Sequence, residues 1–302
     1  MQTITTPIVS VRNQDLQVFE RLETDGILKA YTECVDAKCQ PWFIPELVDA
    51  KITPNCNDYL WQNGFTQPSI IVTGRNRAGK AVVVYSHGSN YFSDLENLKK
   101  VYQNGLSNGA GLMLQEEFLK LLGLNDEKTI FVRDHQELMN SARGDIKVSK
   151  ALAHPMIIPF LGGKDRAEQY LDVFGKKIGS KMYLGITNDL SEVPRGRWLV
   201  LGDYIYYNLG GDLGGSYSFS NDGRVLGVES SSVANEALSQ QSHERSDSTS
   251  PVIVPPKEDA LKNPVSSLES LLGKGNDVGN GLVVIRQDQI SPEAYQLLTK
   301  KN

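Results

Sequence analysis

The spacing of apolar residues changes period several times along this chain, and each change marks an element. Ser69-Ile-Ile-Val-Thr73 and Ala81-Val-Val-Val-Tyr85 are β-branched runs separated by a Gly-containing stretch, the pattern of two strands joined by a turn. From Ser93 the period becomes helical. Ser93-Asp-Leu-Glu96 has the spacing of a capping box, Leu95, Leu98, Val101 and Tyr102 fall on one face, and Gly105 ends the run. A second helix carries Leu114, Phe118, Leu121 and Leu122 and stops at Gly123. Thr129 to Val132 is strand-like. Asp165-Arg-Ala-Glu168 then opens a helix with Ala167, Tyr170, Leu171, Phe174 and Ile178 inward.

Beyond that helix the pattern turns to strands: Lys181 to Ile186, Arg197 to Asn208, Ser216 to Phe219 and Arg224 to Val228, with Asn221-Asp-Gly223 as a tight turn between the last two. The first 65 residues read as helical and irregular, with Trp42, Phe43 and Trp61 as core or cap aromatics. This order predicts an α+β fold: an N-terminal hairpin and helices, an antiparallel β meander, a disordered linker and a short C-terminal element. No internal repeat of fixed period interrupts it.

Composition sets the domain limits. Residues 229–280 hold no aromatic, eleven serines, four prolines, eight acidic and four basic side chains, so they carry −4 of the chain's −5. A segment so polar cannot offset its ordering entropy by burial, and it reads as a disordered linker between a domain at 1–228 and a tail at 281–302. The tail regains apolar character in Gly281-Leu-Val-Val-Ile285 and in Ser291-Pro-Glu-Ala-Tyr-Gln-Leu-Leu298. Leu282, Val284, Ile285, Tyr295 and Leu298 are therefore candidate partner-binding residues, docking on a protein partner or on the chain's own domain.

With 40% hydrophobic and 22% charged residues, the 302-residue chain has the balance of a soluble globular protein. Its net charge of −5 argues against nucleic-acid or anionic-membrane partners, and no apolar run is long enough to span a bilayer. Met1 to Ser10 has neither a basic nor an apolar leader region, and the three cysteines, Cys34, Cys39 and Cys56, contain no C-x-x-C pair. Both features point to a cytoplasmic protein with free thiols and no metal site.

Two motifs bear on chemistry. Gly74-Arg-Asn-Arg-Ala-Gly79-Lys80 matches G-x4-G-K, but Ala81 stands where a phosphate loop needs Ser or Thr, and a strand follows where it needs a helix. The stretch is a hairpin turn. The second motif, His87-Gly88-Ser89-Asn90-Tyr91, follows an apolar strand. Its His-Gly pair is similar to the oxyanion segment of α/β-hydrolases, yet the chain has no G-x-S-x-G nucleophile elbow.

His-Gly-Ser followed by Asn97-Leu98-x-x-Val101-x-x-x-Gly105-Leu106 resembles ADP-ribosyltransferases of the His-Tyr-Glu type. That resemblance implies NAD as cofactor, His87 on its ribose, Ser89 in support, and Asp203 in the place of the family's late-strand glutamate. The sequence departs from the family in a longer His87-to-Asn97 gap and in lacking a clear tyrosine strand. Without the resemblance, His87 is a histidine that satisfies its ring nitrogens at a sheet edge. The primary reading is thus a non-catalytic interaction module with a tethered docking segment and no cofactor. An NAD-dependent enzyme centred on His87 is the alternative.

Overall fold

Residues 8–11, 14–204, 209–216, 218–229, 276–277 and 283–284 are described by the computed structural model. The chain begins with β1 (Ile8–Val11), β2 (Gln14–Arg21), α1 (Gly26–Asp36), β3 (Cys39–Pro41), α2 (Ile44–Ile52) and α3 (Asp58–Gln62). The hairpin of β4 (Phe65–Arg75) and β5 (Ala81–Ser86) follows, then α4 (Leu95–Gln103), β6 (Gly111–Leu112), α5 (Gln115–Gly123), β7 (Ile130–Asp134) and α6 (His135–Asn140). Next come β8 (Gly144–Lys147), α7 (Val148–Ala151), α8 (Ile157–Phe160), α9 (Lys164–Lys177), β9 (Lys181–Gly185), β10 (Arg195–Tyr204), β11 (Leu209–Gly214) and β12 (Gly223–Glu229). The fold is α+β, with helices interspersed among largely antiparallel strands.

Two sheets organise the described part of the first unit, Met1–Ala237. The larger has the order β7-β5-β4-β10-β11-β9-β8, with β6 on the edge of β10, and the smaller the order β1-β2-β12-β3. In the smaller sheet Gly223 to Val228 pair antiparallel with Arg21 to Leu16, so strands from opposite ends of the unit close on each other. The second unit, Leu238–Asn302, contains β13 (Asn276–Asp277) and β14 (Val283–Val284), paired antiparallel with Asn276 opposite Val284. Apart from these residues and Glu229, which ends β12 rather than opening a linker, the expected linker and the tail lie outside the described residues.

Two hydrophobic clusters flank the larger sheet. One joins Phe65, Ile71, Val83 and Tyr85 to Trp61, Tyr170 and Phe174, and the other joins Ile70, Val72 and Val84 to Phe92, Phe118, Trp198 and Phe219. Tyr170 stacks on Trp61 at 5.5 Å between centroids, which seats α9 on α3. Arg166 of α9 reaches both carboxylate oxygens of Asp49 in α2, at 2.8 and 3.2 Å.

The structure departs from the sequence pattern in five places. The first 65 residues contain three strands. β2 is half-polar, with Leu16 and Val18 inward and Asp15 exposed, so its short alternation is easily lost among charges. The Gly-rich Leu209–Gly214 is a strand, whereas Ser216, Ser218 and Phe219 are not in one; Phe219 drops from a turn into the core and donates its amide to the Gly109 carbonyl at 2.8 Å. Asn221-Asp-Gly223 does not join a hairpin, because β12 pairs with β2 and β3. β11 lies parallel to β9, since the chain between them crosses back through β10. The helix caps also shift: Asp94, not Ser93, accepts the Asn97 amide at 2.8 Å, and α9 begins after Gly163 rather than at Asp165.

The short ribbon of β6 and β10 depends on two glycines. A Cβ on Gly111 would come within 2.7 Å of Phe92, and one on Gly196 within 2.3 Å of the same ring. Gly196→Ala should therefore lower stability by about 1–3 kcal/mol through overpacking. Urea denaturation of the full chain measures this, and an unchanged midpoint would show that Phe92 can move aside.

Candidate functional site

His87 sits just past the end of β5, and its backbone amide donates to the Thr129 carbonyl at 2.9 Å. The residue is 5% exposed. Nε2 lies 2.6 Å from the Pro159 carbonyl, an acceptor only, so this nitrogen carries the proton. Nδ1, 3.0 Å from Ser69 Oγ, then accepts the serine hydroxyl, and Ser69 Oγ accepts the Ile44 amide at 2.8 Å. The neutral ring thus ties α2, β4, β5 and α8 through one line of hydrogen bonds. Burial lowers its pKa to about 4, with the Pro159 carbonyl opposing and the Arg166 charge adding to the shift.

Ser89 points elsewhere. With Asn90 and Tyr91 it forms one wall of an open cleft of about 340 Å³, completed by Asn97 of α4, by Glu117, Lys120 and Leu121 of α5, and by Met113 and Leu124 just before and after that helix. Asn90 shapes the wall. Its amide group donates to the Pro68 and Gly88 carbonyls, and its side-chain oxygen accepts the Phe92 and Ser93 amides. Glu117 and Lys120 pair at 2.7 Å on the rim, and buried Met113 and Leu121 make the floor. The cleft offers hydroxyl and carboxamide groups, an aromatic face and an aliphatic floor, a lining suited to reversible contact with polar and apolar groups together.

The structure therefore separates His87 from Ser89, placing the first in the core and the second in the cleft. Asp203 belongs to the backbone of β10, but its side chain lies outside the described residues. Leu282, Ile285, Tyr295 and Leu298 also lie outside them, and Val284 is described only as backbone in β14. Sequence reasoning reached the Ser89–Tyr91 segment and Asn97 but missed Glu117, Lys120 and Leu124. Leu124 was the available signal: a leucine directly after the helix-ending Gly123, 62% exposed.

The G-x4-G-K stretch is the tip of the β4–β5 hairpin. Asn76 Oδ1 accepts the Ala78 and Lys80 amides at 3.0 Å each, so the backbone donors a phosphate would need are already bonded within the turn. Lys80 pairs with Asp134 at 2.8 Å. Among the described residues no group of three or more His, Cys, Asp and Glu side chains is arranged to hold a metal ion. Cys34, Cys39 and Cys56 are free thiols, and burial pushes Cys34 up to about 12, with Cys39 adding to the effect.

The His87 shift has a measurable consequence. Its folded pKa lies below the unfolded value of 6.5, so the neutral ring stabilises the fold fully above pH 6.5 and progressively less as pH falls toward 4. Across that window the wild type should lose about 3 kcal/mol through this group. His87→Gln should show a flatter pH dependence in chemical denaturation; equal slopes in the two proteins would contradict the assignment.

No family model and no curated protein matches the chain. A solved structure described as "Accommodation of massive sequence variation in Nanoarchaeota by the C-type lectin fold" is similar to it at 37% identity and a TM-score of 0.65, over 72% of this chain and 100% of that one. Identity at that level over the whole of the similar chain makes this protein a member of the C-type lectin fold family.

Proposed function

We propose that the chain is a non-catalytic binding module that contacts a protein partner through the cleft between the Ser89–Tyr91 loop, α4 and α5. The observation that carries this reading is the occupation of both His87 ring nitrogens inside the core while the adjoining loop lines an open cleft. An NAD-dependent ADP-ribosyltransferase would need a His87 nitrogen for the ribose, and neither is available. The similar protein is described as accommodating sequence variation on this fold. In this chain Ser89, Asn97, Glu117 and Lys120 stand outside both hydrophobic clusters, so the cleft's polar lining is open to change without loss of the core.

The apolar tail residues Leu282, Val284, Ile285, Tyr295 and Leu298 are proposed as a second, tethered contact, on the strength of their apolar character after a long polar stretch. Three free cysteines support a reducing compartment such as the cytoplasm.

Two assays test the reading. Incubated with NAD, the full chain should release no nicotinamide above the buffer rate. Binders selected against it from a displayed protein library should lose about ten-fold or more in affinity for the Tyr91→Ala/Asn97→Ala double variant. Nicotinamide release that disappears in His87→Gln would overturn the proposal, as would selected binders indifferent to the cleft variant. Deleting residues 281–302 should leave the domain's denaturation midpoint unchanged while weakening partner binding; a lower midpoint would make the tail part of the domain instead.

A further inference from the structure

The β6–β10 ribbon has a second face, on the side away from Phe92. Arg195 pairs with Leu112 and Gly196 with Gly111, and the Met113 amide donates to the Pro194 carbonyl at 3.0 Å, which carries the antiparallel register on to Val193 opposite Leu114. Side chains alternate across the ribbon. Gly111, Met113, Pro194 and Gly196 turn inward and are buried, whereas Leu112 is 37%, Leu114 67% and Val193 47% exposed. Three of the five large hydrophobic residues most exposed among those described thus share one face, Leu112 in β6, Leu114 at the N-cap of α5 and Val193 just before β10.

Arg195 completes this face. Its Nε has no accessible surface and no hydrogen-bond partner, and its guanidinium forms no ion pair among the described residues. The neighbouring carboxylate is already used. Asp189 binds Arg197 at 2.5 and 3.1 Å and accepts the Thr187 hydroxyl at 2.8 Å. Burial alone would raise the Asp189 carboxyl, but those hydrogen bonds, with the charges of Arg197 and Arg195, hold it below its usual value. One carboxylate therefore faces two guanidiniums, and the positive charge left over sits on Arg195. The Nε–H is beyond a partner's reach, so a docking group would meet the outer guanidinium nitrogens, which stand beside an apolar face open to water.

We propose that Leu112, Leu114, Val193 and Arg195 form a docking face for an extended segment of a partner protein that carries an aspartate or glutamate flanked by aliphatic side chains. The carboxylate pairs with the Arg195 guanidinium, and the aliphatic groups cover the two leucines and the valine. Charge complementarity selects this occupant: among the described residues Arg195 forms no ion pair, so a wholly apolar segment would leave its guanidinium without a counter-charge. This face is separate from the cleft, whose floor includes Met113, which follows β6 and is buried on the opposite side from Leu112 and Leu114.

The test uses the full chain and two fluorescein-labelled octapeptide libraries. One has Asp or Glu flanked on both sides by Leu, Ile or Val; the other is identical but with Asn or Gln. Fluorescence anisotropy should find acidic members binding about ten-fold or more tightly than their amide counterparts, the size of one charge-assisted contact. Arg195→Gln should remove that preference. Leu114→Ser, which removes the exposed side chain while leaving a favourable N-cap for α5, should weaken binding of the acidic peptides, while Tyr91→Ala should leave it unchanged. Equal binding of the two libraries, no binding by either, or binding indifferent to both Arg195→Gln and Leu114→Ser would overturn the proposal. Loss of peptide binding in Tyr91→Ala alone would assign it to the cleft and likewise overturn it.

Discussion

Ten consecutive residues of β4, Phe65 to Gly74, are buried, and the other elements are arranged around that strand. A strand dry on both faces must pass apolar side chains to two cores at once, and Ile71 and Ile70 do so in opposite directions. Its buried polar residues gain from partners, because an unmet polar group at such depth costs about 1–3 kcal/mol, a cost the strand bears at Thr66, whose Oγ1 has none. Ser69 is met by His87 and the Ile44 amide. Gln67 is met across the sheets when its amide nitrogen faces the Trp42 carbonyl at 2.7 Å and its oxygen the Leu226 amide at 3.1 Å. The two sheets are therefore joined by a side chain from the middle of β4, and the helices by another.

This constraint explains the division of labour around the His-Gly-Ser segment. His87 is drawn inward because Ser69 and Pro159 supply matching donor and acceptor positions, and burial then keeps the ring neutral. Ser89 and Tyr91, a few residues on, are released from the core as the chain turns toward α4. The same segment thus contributes a structural histidine and a surface wall. A reading based on the order of residues alone places them in one site; the direction of the side chains places them in two.

Much of the fold was legible in the sequence. The β4–β5 hairpin, α5, α9 and the strand at β12 follow from period and from turn chemistry, and the absence of a phosphate loop followed from Ala81 and the strand after it. What could not be read was pairing at a distance. Nothing local in Gln14–Arg21 announces that it will meet Gly223–Glu229, and the glycines of β11 resemble a bend until Val200 and Leu213 are seen on adjoining strands. The cleft was half legible. Ser89 and Asn97 come from the motif, but Glu117 and Lys120 belong to it only because α5 packs beside α4.

The central claim is that His87 is a structural, neutral imidazole whose two ring nitrogens are both occupied inside the core. Nitrogen-15 NMR of the His87 ring in the full chain, titrated over pH and then with NAD, tests it most directly. The account predicts an Nε2–H tautomer that titrates near pH 4 and does not respond to NAD. Titration near the ordinary histidine value of about 6.5, or ring shifts on adding NAD, would contradict it.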